Sequence, residues 1–89
     1  VKTFIGFSFI FGNIGTKLYI LDQYALMVNQ YAMTTNYDIT IAVYEKSFKL
    51  PENSIFSMDF NIDGTRMFLD SGHEFVSYNL SINWEVDTA

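Results

Sequence analysis

The chain of 89 residues has no cysteine, so it can build neither a disulfide framework nor a thiolate metal site. That absence is compatible with either redox compartment. Basic residues are also few. Lys2, Lys17, Lys46, Lys49 and Arg66 are scattered against ten acidic residues, leaving a net charge of −5. Phosphate recognition needs clustered Lys and Arg, so a nucleic-acid partner is not expected. No run of about 18 apolar residues occurs, so no helix crosses a membrane and no membrane insertion is expected. The apolar stretch Phe4–Phe11 is too short for that role, and it lacks the basic flank and small-residue cleavage pattern of a signal peptide. The chain begins at Val1 rather than Met, which reads as a processed product or a fragment.

What the chain does have is aromatic side chains: nine Phe, six Tyr and one Trp in a composition that is 49% hydrophobic. Ile, Val, Phe and Tyr suit pleated surfaces, whereas the helix formers Ala, Glu and Lys are sparse, so the fold class is all-β. A chain this short buries only about 60–65% of its unfolded surface. Its apolar load therefore points to association with other copies, with a compact aromatic core as the alternative.

Alternation and turn residues divide the chain into strands. Ile5–Phe11 and Thr16–Leu21 form a hairpin across Gly12–Gly15, since Gly adopts positive φ without strain. After a loop over Asp22–Leu26, Met27–Met33 reads as a third strand with Asn29, Tyr31 and Met33 on one face. Thr34–Asp38 is a polar connection, and Ile39–Leu50 reads as a fourth strand. The single proline, Pro51, opens a break at Pro51–Asn53. Ser54–Phe60, Thr65–Leu69 and Phe75–Leu80 then repeat the first three strands, and Ser81–Ala89 repeats the connection. Gly15 recurs as Gly64, 49 positions on, and Tyr31 as Tyr78, 47 positions on. The difference falls in the loop after the second strand, where a change of length costs little. In the same alignment Phe7, Ser8, Phe11, Thr16, Asn36 and Ala42 recur as Phe56, Ser57, Phe60, Thr65, Asn83 and Ala89, and Lys17, Tyr37 and Asp38 become Arg66, Trp84 and Glu85.

A four-stranded unit with a period of about 40–50 residues is the signature of a β-propeller blade. One twisted four-stranded sheet has two apolar faces and cannot cover both, whereas sheets stacked radially cover one another. Phe60-Asn61-Ile62-Asp63-Gly64-Thr65-Arg66-Met67-Phe68, followed by Tyr78-Asn79-Leu80-Ser81 and Trp84-Glu85-Val86-Asp87-Thr88-Ala89, resembles the propeller repeats of bacterial and bacteriophage proteins. In the first unit the resemblance is carried by Gly15-Thr16-Lys17-Leu18-Tyr19, Val28-Asn29-Gln30-Tyr31 and Tyr37-Asp38-Ile39-Thr40-Ile41-Ala42. The chain departs from that pattern at Ile14, where Asp is expected before the turn glycine, and in the loop Asp70–Glu74.

The expected architecture is two four-stranded blades per chain, the first over residues 5–50 and the second over 54–89. The second blade stops before its fourth strand. Val1–Phe4, or a neighbouring chain, is expected to complete it. Two blades cannot close a ring, and propellers use about four to eight. Closed symmetry then favours a homotrimer with six blades, with dimers and tetramers giving four and eight. Small two-blade lectins are similar in architecture.

The candidate chemistry is sparse. His73, the only histidine, lies between Asp70 and Glu74, either as a base or metal ligand or as a solvated loop residue. Asp59, Asp63 and Asp70 suggest acid–base work or Ca²⁺ binding, but Asp63 before Gly64 has a simpler role in the turn, and the spacing fits no EF-hand. Tyr37 and Trp84, with Asn36 and Asn83 preceding and Asp38 and Glu85 following them, suit a carbohydrate surface in which rings stack on sugars and carboxylates and amides meet hydroxyls. The same aromatics equally suit packing between blades. Asn79-Leu80-Ser81 is a glycosylation sequon of the kind expected by chance. No nucleophile–base pair occurs, and neither enzymatic activity nor a cofactor is expected. The sequence thus reads as a non-catalytic, self-associating scaffold or binding surface. The alternatives are a lectin-like carbohydrate binder or adhesion protein, and a piece of a longer secreted or virion-associated propeller protein.

Overall fold

The computed structural model describes residues 8–22, 25–50, 57–72 and 74–89. They form two antiparallel sheets. The first takes β1 (Ser8–Gly12), β2 (Lys17–Asp22), β3 (Met27–Ala32) and β4 (Val43–Lys49) in sequence order, and the second takes β5 (Ser57–Phe60), β6 (Arg66–Asp70) and β7 (Phe75–Asn79). There is no α-helix among the described residues. The all-β class follows from the dense β-branched and aromatic positions, which lose little by lying on a pleat.

The fourth strand is shorter than Ile39–Leu50. Ile39–Ile41 is a 3₁₀ turn, and β4 starts at Val43. The reason is local: Asp38 accepts hydrogen bonds from the Thr40 amide (3.1 Å) and the Thr40 hydroxyl (2.5 Å), which closes the backbone into a turn. A β-bulge between Gln30 and Tyr31 then shifts the β3–β4 register. The expected pairing of Val1–Phe4 with the second sheet lies outside the described residues, as do Ile5–Phe7 and Ser54–Phe56. Among the described residues the second sheet has three strands.

Register decides which side chains share a face. Ile10 pairs with Tyr19 and Tyr19 with Gln30, while Leu21 pairs with Val28 and Val28 with Phe48, so all of these point one way. In the second sheet Met58 pairs with Leu69, Phe60 with Met67, and Met67 with Tyr78. These two faces meet. Tyr19, Leu21, Val28, Met58, Met67, Leu69, Leu80 and Val86 form one buried cluster, with Ile10, Phe48, Phe60 and Tyr78 packed against it. On the far face of the first sheet, Leu18, Ile20, Met33 and Ala42 form a second cluster with Phe11, Tyr31 and Ile39.

The ends of the two sheets are tied by matching bonds. Met33 donates to Thr16 O (2.9 Å) as Leu80 does to Thr65 O (2.8 Å). Tyr37 donates to Gly15 O (2.8 Å) as Trp84 does to Gly64 O (2.9 Å). Ala42 closes onto Ile39 O (3.2 Å) as Ala89 does onto Val86 O (3.3 Å). The turns themselves differ. In the first, Asn13, Ile14 and Gly15 all have positive φ (49°, 55° and 77°), whereas in the second the only positive φ is that of Gly64 (71°). There Asp63 accepts from the Thr65 amide (3.1 Å) and hydroxyl (2.7 Å) and holds the chain in an ordinary conformation. Ile14 has no such carboxylate to offer, and its backbone takes up the difference.

Candidate functional site

Tyr37 and Trp84 sit in the same local frame. Each has positive φ (63° and 68°) and a ring lying over a turn glycine. A Cβ added to Gly15 would come within 2.5 Å of the Tyr37 ring, and one added to Gly64 within 2.2 Å of the Trp84 indole. The surroundings then diverge. Trp84 is half-buried between the sheets, 5.4 Å from the Phe60 ring, and its carbonyl accepts a 2.6 Å bond from the Tyr19 hydroxyl. Burial, followed by the charges of Glu85 and Glu45, pushes the Tyr19 phenol far above its ordinary pKa, so it stays a donor. Tyr37 instead rests on Phe11 (5.2 Å) and remains 57% exposed. Asn36 and Asn83 are exposed, each in its own turn, and the two rings have different partners, Phe11 for Tyr37 and Phe60 for Trp84.

The most organised polar group lies at the seam between the sheets, and of its members only Glu85, next to Trp84, belongs to a candidate site read from the sequence. Gln30 is fully buried on the inward face of β3. Its Nε2 donates to Glu45 (2.9 Å) and Glu85 (2.5 Å), and its Oε1 accepts from the Val86 amide (2.9 Å). Lys17 pairs with Glu45 at 2.6 Å and lies 3.9 Å from Glu85, while Lys46 bridges Glu85 (3.2 Å) and Asp87 (3.1 Å). Burial would raise the Glu45 carboxyl, but hydrogen bonds from Lys17 and Gln30 and the charges of Lys17 and Lys46 outweigh it. The group is held below the usual carboxylate range. Hydrogen bonds that Lys46 donates to Asp87 and Glu85 raise its ammonium. A general acid or base needs a pKa brought towards neutrality, and Glu45 is moved away from it. The arrangement is a clamp: it ties β2, β3 and β4 to the 3₁₀ turn Val86–Thr88. A polar residue midway along an otherwise apolar row, Val28–Gln30–Ala32, is the signal in the sequence.

The far face of the second sheet carries a shallow depression of about 260 Å³ lined by Asp59, Phe68, Asp70 and Phe75, among others. The far face of the first carries an aromatic rim in which Phe9 and Tyr44 are exposed. Asp63 serves the turn, as described above, and hydrogen bonds from the Thr65 hydroxyl and amide hold its carboxyl below its ordinary range. Asp59 bonds its own neighbour, the Phe60 amide, at 2.8 Å, and Asp70 bonds the Gly72 amide at 2.8 Å. His73 lies outside the described residues. Among those described, no group of three acidic or histidine side chains is arranged to hold a metal ion. No family model matches the chain, and no curated protein or solved structure proves similar to it.

Proposed function

We propose that the chain is a non-catalytic β-propeller module that self-associates, two blades to a chain, into a ring that serves as a scaffold or binding surface. The observation that carries this reading is the seam: one sheet is received face-on by another through a continuous apolar cluster and a clamp of ion pairs. Each sheet also keeps a second face with apolar side chains on it, Phe9 and Phe11 on one and Phe68 and Phe75 on the other. Radial stacking is the arrangement that covers such faces. Six blades from three copies is the favoured closure. Light scattering tests it directly. A solution mass near three times the 10.3 kDa chain supports the six-bladed ring, and a monomer at all concentrations refutes self-association.

The exposed Tyr37 ring beside Asn36 favours a second reading, a carbohydrate-binding surface in which the ring stacks on a sugar. Repeated around a ring, weak sites of this kind gain by avidity. Titration with mono- and oligosaccharides, followed by amide chemical shifts at 34–38, tests this. Unchanged shifts at saturating sugar dismiss it.

A further inference from the structure

The seam joins an inserted face to a receiving face, and each has a counterpart elsewhere on the chain. By position in the two units, Phe60, Met67, Leu69 and Tyr78 of the inserted face correspond to Phe11, Leu18, Ile20 and Tyr31 on the far face of the first sheet. Tyr19, Leu21 and Val28 of the receiving face correspond to Phe68, Asp70 and Phe75 on the far face of the second sheet. These counterparts point away from the seam on opposite sides of the molecule, because successive residues of a strand face opposite ways. They can meet only between two copies.

Resting on the self-association proposed above, we infer that it runs head to tail: the Phe9–Phe11–Tyr31 face of one copy seats on the Phe68–Phe75 face of the next, and Asp38 of the first copy pairs with Arg66 of the second. Charge supports this occupant. Within the chain, Glu85 lies 3.9 Å from Lys17 across the seam. The counterparts of that pair are Asp38 and Arg66. The acid is shorter by one methylene and the base is longer, so the signs are kept and the reach is nearly conserved. Arg66 is exposed and makes no ion pair among the described residues. The depression on the receiving side lies at Phe68, Asp70 and Phe75, the positions equivalent to Tyr19, Leu21 and Val28, which accept the second sheet in the internal seam.

The contact between copies is weaker than the internal one. Ser77 stands at the place of Gln30 and is too short to bridge two carboxylates, and Phe68 stands at the place of Tyr19 without its hydroxyl. Asp59 and Asp70 replace the apolar Ile10 and Leu21. Assembly is therefore concentration-dependent. A heterologous contact of this kind gives a ring when its rotation closes.

The test is solution mass across a dilution series for the wild type and four variants. Arg66→Glu and Phe75→Glu change exposed side chains on the receiving face, Asp38→Lys changes the inserting side, and Ile62→Glu is a control on a fully exposed turn position (99%). The expected result is at least about a tenfold rise in the dissociation constant for the first two, because like charges oppose each other at a docked face, with Ile62→Glu unchanged. Combining Arg66→Glu with Asp38→Lys in one chain restores association, since opposite charges then face each other at every contact of the ring. Asp38 also caps a turn, so if its variant misfolds, Arg66→Glu and Phe75→Glu decide alone. A wild type that associates while both of these leave it unaltered overturns the head-to-tail assignment and leaves self-association standing. A wild type that stays monomeric overturns both.

Discussion

Replacing Gln30 by Met keeps the length of the side chain and removes both polar ends, which isolates what the clamp contributes. The Val86 amide, whose acceptor is the Gln30 carbonyl, is left buried without one, at about 1–3 kcal/mol. The two Nε2 bonds run to Glu45 and Glu85, and bonds to charged groups contribute about 1.5–3 kcal/mol each when dry. The carboxylates here keep 29% and 23% side-chain exposure, so water recovers much of that, and about 1 kcal/mol for the pair is the discounted figure. Removing the amide also leaves the two acids facing each other with less between them. Against this, a buried thioether gains about 1 kcal/mol over the amide. The net loss is about 1–3 kcal/mol, an appreciable part of the roughly 5–15 kcal/mol that holds a domain together. For a chain of this size it lowers Tm by roughly 5–20 °C. Urea unfolding followed by tryptophan fluorescence reads it out, because Trp84 sits at the seam. A Gln30→Met protein within about 0.5 kcal/mol of wild type refutes the clamp as a stabilising element.

Three further outcomes follow from the same geometry. Ile14→Asn stabilises by about 1 kcal/mol, because a β-branched residue with φ of 55° is strained, Asn tolerates that region, and the side chain is already 77% exposed; thermal melts show a higher Tm, and an unchanged or lower value contradicts the strain. Gly64→Ala destabilises more than Gly15→Ala. Both lose a left-handed glycine, at about 1–2 kcal/mol, but Trp84 is wedged between sheets and cannot yield as the exposed Tyr37 can; equal losses in parallel denaturant titrations sink this. Stability falls at both ends of the pH scale. Glu45 and Asp63 are depressed in the folded chain, so their contribution is present above the ordinary carboxylate pKa of about 4 and is lost as pH drops through their folded values. Tyr19 and Lys46 are raised, so theirs is present below about pH 10 and is lost as pH climbs towards their folded values. A stability profile flat from pH 2 to the alkaline end, measured by chemical denaturation at about unit intervals, is the contrary result.

The sequence by itself determined the strands and their turns. Turn residues bound the apolar runs of Lys17–Asp22 and Arg66–Asp70, and glycine at 15 and 64 fills positions that reject a Cβ. It also placed Asp63 in the turn, since an Asx bond needs only a neighbour two residues on. Ile39–Ile41 reads as strand because Ile and Thr favour it. Only the Asp38 side chain, acting locally, makes it a turn.

What tertiary structure alone decided is which faces meet. Tyr37 and Trp84 look alike as a sequence pattern, and both cap a glycine. One ends up half-buried at a seam and the other in solvent, because the second sheet packs on the face that bears Tyr19 rather than the face that bears Leu18. The clamp is of the same kind. Gln30, Glu45 and Glu85 are 15 and 40 positions apart along the chain, and their attraction acts over a few ångströms, so nothing local announces it. Alternation assigns side chains to faces. Only packing assigns faces to one another.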